Sequence, residues 1–185
     1  AAAIHPDAEV RLTGVGIDET RAGVIDVLRS MGADLSVEEE RQVGGEPVGD
    51  IVVRSSRLSG TEIGGETVVS AMDEVPVLAI AAAFAEGRTE VRDAAELRVK
   101  ESDRIAAVVS QLAALGVTAA ERADGLTIEG GEVRGGSART FGDHRLAMAL
   151  AVAGLASRDG VTIDDADCVA VSYPAFWEHL EQLAR

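Results

Sequence analysis

Val75-Pro76-Val77-Leu78-Ala79-Ile80-Ala81-Ala82-Ala83-Phe84-Ala85 is apolar on every side. At 3.6 residues per turn such a run offers water no polar face, so it reads as a helix buried all round, with Pro76 tolerable only in the first turn. Residues 146–156 repeat this character, and Leu78-Ala79-Ile80-Ala81 lines up with Met148-Ala149-Leu150-Ala151 at an offset of 70. Asp93-Ala94 matches Asp165-Ala166 at 72, and Gln111-Leu112-Ala113 matches Gln182-Leu183-Ala184 at 71. The small drift fits loop insertions of one or two residues, and the repetition implies pseudo-symmetric packing of helices against sheets.

Around the two buried helices the pattern turns amphipathic. Asp18 stands where a helix over residues 19–31 would take its N-cap, with Val24, Val27, Leu28 and Met31 on one face and Gly32 past its end. A second such helix is expected over 102–115, with Ile105, Val108, Val109 and Leu112 inward and Gly116 closing it, and a third over 174–183. Short apolar or alternating runs predict strands at 9–14, 33–39, 50–55, 58–63, 89–94, 117–121, 126–129, 132–134 and 161–163.

With 185 residues, 46% of them hydrophobic, the chain can bury a core as one domain or two small ones. A formal net charge of -15 disfavours nonspecific attraction to nucleic acid or anionic membranes, so any anion site must be local. A single cysteine, Cys168, rules out an intrachain disulfide and suits a reducing compartment; its flanks suggest a strand. The longest apolar run, 75–85, is too short to span a bilayer, and Ala1-Ala2-Ala3-Ile4-His5-Pro6 lacks a basic secretion-signal region, so a cytoplasmic location is expected.

Charge is used unevenly. The stretch Leu97-Arg98-Val99-Lys100-Glu101-Ser102-Asp103-Arg104 holds the only lysine in a chain that otherwise uses arginine. Arg21, Lys100, Arg104 and Arg145 fall at or near helix starts, where cations oppose the macrodipole. Either each pairs with a neighbouring acid, Asp143 with Arg145 and Glu101 with Arg104, or several helix starts converge on an anion-binding surface. Asp73 and Glu101 sit in the same places and could divide proton acceptance and donation, although an acid before a helix also serves as a cap. His144 is open to both a ligand contact and a capping turn, whereas His5 and His179 have no such company. No His/Cys/Asp cluster has metal-ligand spacing, no phosphate loop or dinucleotide fingerprint occurs, and the Gly-Gly pairs at 130–131 and 135–136 read as turns.

Taken with Asp73-Glu74-Val75-Pro76, Gly142-Asp143-His144-Arg145-Leu146-Ala147-Met148 and Ser172-Tyr173-Pro174-Ala175-Phe176, the 97–104 stretch resembles the EPSP synthase (3-phosphoshikimate 1-carboxyvinyltransferase) family, in its motif order and over essentially the whole chain. The resemblance implies an inverse α/β fold of internal βαβαββ repeats with helices inside. Residues 1–185 would then form most of one lobe, lacking a short N-terminal segment and the whole partner lobe. It further implies transfer of the enolpyruvyl group of phosphoenolpyruvate to the 5-hydroxyl of shikimate 3-phosphate, with phosphate released, no cofactor and no metal.

Carried over motif by motif, Asp73 would be the base and a substrate contact, and Glu101 the acid that protonates the methylene. Lys100 would touch shikimate 3-phosphate, Arg104 and Arg145 would hold phosphoenolpyruvate, and His144 would support that pocket. Glu96 stands where some members place an asparagine against the shikimate ring. Val171 stands where some members carry a lysine that helps bind phosphoenolpyruvate, and the family's N-terminal Lys-Ser motif has no counterpart. The alternatives are a sibling transferase acting on a UDP-sugar and a noncatalytic anion-binding module of the same fold. The former typically bears a cysteine in a phosphate-facing loop, unlike the setting expected of Cys168.

Overall fold

The computed structural model describes residues 1–184. A first repeat contains β1 (Glu9–Gly16), α1 (Gly23–Ser30), β2 (Asp34–Val43) and β3 (Glu46–Arg54). The second contains β4 (Glu62–Ile63), α2 (Gly65–Ser70), α3 (Val75–Ala83), β5 (Arg88–Val91), α4 (Arg104–Ala114), β6 (Thr118–Arg122) and β7 (Gly125–Glu129). The third contains β8 (Gly136–Ala138), α5 (His144–Ala156), β9 (Val161–Ile163) and α6 (Phe176–Leu183). Short 3-10 turns at Met72–Glu74, Ala95–Val99 and Asp167–Val171 precede α3, α4 and α6.

Strand pairing identifies the repeat as βαβαββ. β4 lies parallel to β5 across α3, and β8 parallel to β9 across α5. The hairpins β2–β3 and β6–β7 are antiparallel, and their second strands pair antiparallel with β1 and β5. Only the middle sheet, β4-β5-β7-β6, is complete among the described residues. The first, β1-β3-β2, has no parallel partner for β1, and the third, β8-β9, has no closing hairpin.

The two apolar runs lie at the centre. Every residue of α3 except Val77 is buried, and α3 packs against α4 and α5. α5 turns Leu146, Ala149, Leu150 and Ala153 into the same interior, while Ala147 and Ala151 pack in a separate cluster with Val169 and Phe176. Alanines along both helices allow close approach, while Leu78, Ile80 and Leu150 fill the volume, each contributing about 1.5–3 kcal/mol by leaving water. Close approach also governs Gly130, where a Cβ would lie 2.1 Å from the Ala85 carbonyl oxygen at the end of the α3 segment. Filling Ala149 out to leucine would overpack this interior at a cost of about 1–3 kcal/mol.

Several local expectations need correction. Asp18 does not cap α1: its carboxylate accepts the Thr20 N–H and hydroxyl in a separate turn, and the helix begins at Gly23. That glycine abuts Ser70 at the end of α2, a short helix that the sequence patterning did not reveal. The expected strand at 58–63 shrinks to β4 plus a single bridge from Ser59 to Glu86. Residues 132–134 form no strand, because the chain there crosses the end of α4, Arg134 N–H donating to the Leu115 carbonyl; pairing resumes at β8. Cys168 lies in the 3-10 turn, where Asp165 accepts the N–H groups of Asp167 and Cys168.

An apolar groove of about 650 Å³ flanks α3 and α5, lined in part by Ile4, Leu28, Val77, Val152, Leu155 and Leu180. At one end the N–H groups of Ile4 and His5 both donate to the Ala1 carbonyl, forming a helical turn that leads into β1. Asp7 then takes φ 55°, as Gly87 and Gly160 take 85° and 71° before β5 and β9. Three equivalent turns thus deliver the chain to three equivalent strands.

Candidate functional site

Three helix approaches meet on one side of the central pair. Asp103 caps α4 by accepting the Ala106 N–H at 3.0 Å, and Asp143 caps α5 by accepting those of Arg145 and Leu146 at 3.0 and 3.3 Å. No side chain caps α3, so Asp73, in the turn just before it, is left for other partners. Asp73 and Asp143 are equivalent by the 70-residue register of α3 and α5.

Between these aspartates lies Arg104, only 1% exposed. Its Nε donates to Asp143 Oδ2 at 2.8 Å, and its Nη2 donates to Glu101 Oε2 at 2.7 Å and Asp143 Oδ1 at 3.3 Å. Nη1 reaches Asp73 Oδ1 at 3.5 Å. A guanidinium at a helix start opposes the dipole, and burial adds a desolvation cost; three carboxylates offset both. Asp143 is itself fully buried and also accepts the Ser102 hydroxyl at 3.1 Å. Burial works to raise its pKa, but the hydrogen bond and charge of Arg104, the Leu146 N–H and Ser102 outweigh burial and hold it below the usual aspartate range.

Arg145 extends the cluster toward solvent. It donates to Asp73 twice, Nη2 to Oδ2 at 3.1 Å and Nη1 to the carbonyl at 3.2 Å, and lies 3.7 Å from Glu74. Burial pushes the Glu74 carboxyl up, and Arg145 only partly counters it. Beside Asp73 and Arg145 opens a cleft of about 220 Å³ floored by Pro76, Val77, Met148 and Phe176.

Asp73, Glu101, Arg104 and Arg145 are therefore joined in one network. Lys100 is set apart, paired with Glu96 at the Ala95–Val99 turn. His144 is the half-buried first residue of α5, with no hydrogen bond to its ring among the described residues. Arg21 lies exposed before α1, with no ion pair to this cluster among the described residues. Glu101 does pair with Arg104, but Asp143 meets the Arg104 guanidinium and only the backbone of Arg145. Asp143, Ser102 and Glu74 were not assigned site roles from the sequence; the 70-residue register linking Asp73 to Asp143 was the available signal for the first. No group of three or more His, Cys, Asp or Glu side chains placed to hold a metal ion occurs among the described residues, and none of their helices is long and apolar enough to cross a membrane.

The family model for EPSP synthase (3-phosphoshikimate 1-carboxyvinyltransferase) matches residues 1–180. The chain belongs to the EPSP synthase family. It is 53% identical over 184 residues to the 3-phosphoshikimate 1-carboxyvinyltransferase of Herpetosiphon aurantiacus, covering 99% of this chain and 43% of that protein. Against the protein of the same name from Thermosynechococcus vestitus the identity is 54%, covering 100% and 42%. Among solved structures, an EPSP synthase from Acinetobacter baumannii superposes with a TM-score of 0.95 at 44% identity, covering 98% of this chain and 43% of that one. The enolpyruvyl transferase NikO from Streptomyces tendae matches with a TM-score of 0.73 at 27% identity, covering 98% and 40%. The chain thus spans less than half the length of the relatives it matches, and the EPSP synthase fold extends over nearly all of it.

Proposed function

We propose that this chain supplies one wall of the active site of a cytoplasmic 3-phosphoshikimate 1-carboxyvinyltransferase, the other wall coming from a partner lobe. The observation that carries this reading is Arg104: a buried guanidinium, joined to Asp73 and Glu101, at the meeting of helix starts in an EPSP synthase fold. Arg104 and Arg145 bind phosphoenolpyruvate, with His144 supporting the pocket, while Lys100 and Glu96 face shikimate 3-phosphate. Asp73 takes the proton of the 5-hydroxyl as its oxygen bonds to the enol carbon, and Glu101 protonates the methylene to a methyl. Elimination then removes a methyl proton and expels phosphate, leaving the enolpyruvyl ether. The fixed cations stabilise the charge of the tetrahedral adduct.

The same reading gives the apolar groove an occupant. α3 and α5 each precede a parallel strand partner, and the turn at residues 1–5 stands in the equivalent position before β1. A further apolar helix fits there, its own strand pairing along β1, while the free edge of β9 takes a hairpin from the segment that completes the lobe. Phosphate release from phosphoenolpyruvate and shikimate 3-phosphate tests the whole proposal. No turnover is expected from the chain alone, and turnover is expected when the complementary part of a relative is added. Steady-state release by the isolated chain, or none from the mixture, overturns it.

A further inference from the structure

Both arginines assigned to the anionic substrate are already occupied. Arg104 spends Nε, Nη1 and Nη2 on Asp143, Asp73 and Glu101 and is 1% exposed, so no ligand oxygen can reach it in this arrangement. Arg145 is committed to Asp73 and Glu74. Four carboxylates thus surround two guanidinium groups, an excess of negative charge where an anion is to bind. The four are not equivalent. Asp143 is wholly buried and fixed as the α5 cap, whereas Asp73 and Glu101 are nearly half exposed and border solvent.

We infer that Asp73 and Glu101 act as internal competitors for the anion site, covering Arg104 and Arg145 until an incoming phosphate or carboxylate displaces them. The inference rests on the functional reading above and deepens it. The ligand and the two side chains want the same N–H donors, so the apparent affinity is the intrinsic one reduced by the fraction of molecules with the carboxylates swung away. Displacement also frees the Asp73 and Glu101 side chains from the guanidinium groups, so both can turn to the reacting atoms in the step that loads the anion. Asp143 stays on Nε and keeps the guanidinium oriented throughout.

The consequence is counterintuitive: removing a proposed catalytic carboxylate should strengthen anion binding. Inorganic phosphate is titrated into the chain at neutral pH and fixed ionic strength, with the side-chain N–H signals of Arg104 and Arg145 followed by NMR. Asp73→Asn is expected to tighten half-saturation at least about tenfold, the effect of one unit charge near 3 Å even when screened as in bulk water. Glu101→Gln is expected to act in the same direction. Glu132→Gln, which removes an equal charge at the distant Arg158 pair, should leave the value unchanged. An Arg104 Nε–H signal retained near its wild-type position reports that each variant is folded. Equal or weaker phosphate binding by folded Asp73→Asn and Glu101→Gln variants overturns the inference, and so does tightening by Glu132→Gln to the same degree. Absence of turnover by the wild-type assembled enzyme would instead overturn the functional reading, so the two failures are separable.

Discussion

Arg104 and Phe176 occupy the same place in successive repeats, 72 residues apart, each the first residue of its amphipathic helix and each preceded by a five-residue 3-10 turn. Their backbone settings match so closely that Val99 and Val171, which end the two turns, are 81% and 83% exposed. Their surroundings do not match. Arg104 is wrapped by Glu101, Asp73 and Asp143, whereas Phe176 packs on Ala147, Ala151 and Val169 with Tyr173 and Trp177 edge-on. The repeat therefore fixes where a buried helix-start side chain goes, and a few residues decide whether that place is an ionic cluster or an apolar plug.

The sharpest way to break this contrast is to make the two positions alike. Arg104→Met leaves Asp143 buried without its cation and is expected to cost about 3–5 kcal/mol in urea unfolding, whereas Phe176→Leu removes only part of an apolar side chain and should cost about 1 kcal/mol. Equal losses at the two sites would show that Arg104 is held by packing rather than by charge.

A smaller effect follows from pH. Because the folded pKa of Asp143 lies below its unfolded value, near 3.9, its contribution to stability is present above that value and is lost as pH falls through the folded one. The urea midpoint should drop on going below about pH 4, and Asp143→Asn should flatten the drop in that window. A variant with the same acid-side slope as the wild type would remove Asp143 from this role. Smallest of all, Val171→Lys should change stability by no more than about 0.5 kcal/mol, since the side chain is solvent-exposed. In the assembled enzyme it should lower KM for phosphoenolpyruvate while leaving kcat nearly unchanged; an unchanged KM would mean that the turn does not face that substrate.

Much of this contrast is legible in the sequence. An all-round apolar helix at 75–85 and its echo 70 residues later require layers on several sides, and the offsets between repeats anticipated which helix follows which strand. The site was legible as a set of unusual helix-start charges, but its connectivity was not. Whether Asp143 meets Arg145 beside it or Arg104 at the start of α4 depends on how α4 and α5 are set against α3, and no local pattern carries that arrangement. The 3-10 turn at Cys168 resembles a strand in sequence because a short apolar run such as Cys168-Val169-Ala170-Val171 suits either, and the side-chain bonds of Asp165 that form the turn are not a periodic signal. The strand expected at 132–134 failed for a similar reason, since its apolar Val133 is buried under the end of α4 and not in a sheet.

The central claim is that the Arg104 cluster is one wall of an enolpyruvyl transfer site in which Glu101 moves a proton and does not hold the fold. The most direct measurement sets phosphate release beside calorimetric binding of shikimate 3-phosphate for Glu101→Gln in the assembled enzyme. Turnover should fall by about 10²–10⁴-fold, the range of general acid catalysis, with binding essentially retained. Retained turnover, or loss of binding in step with turnover, would contradict the claim.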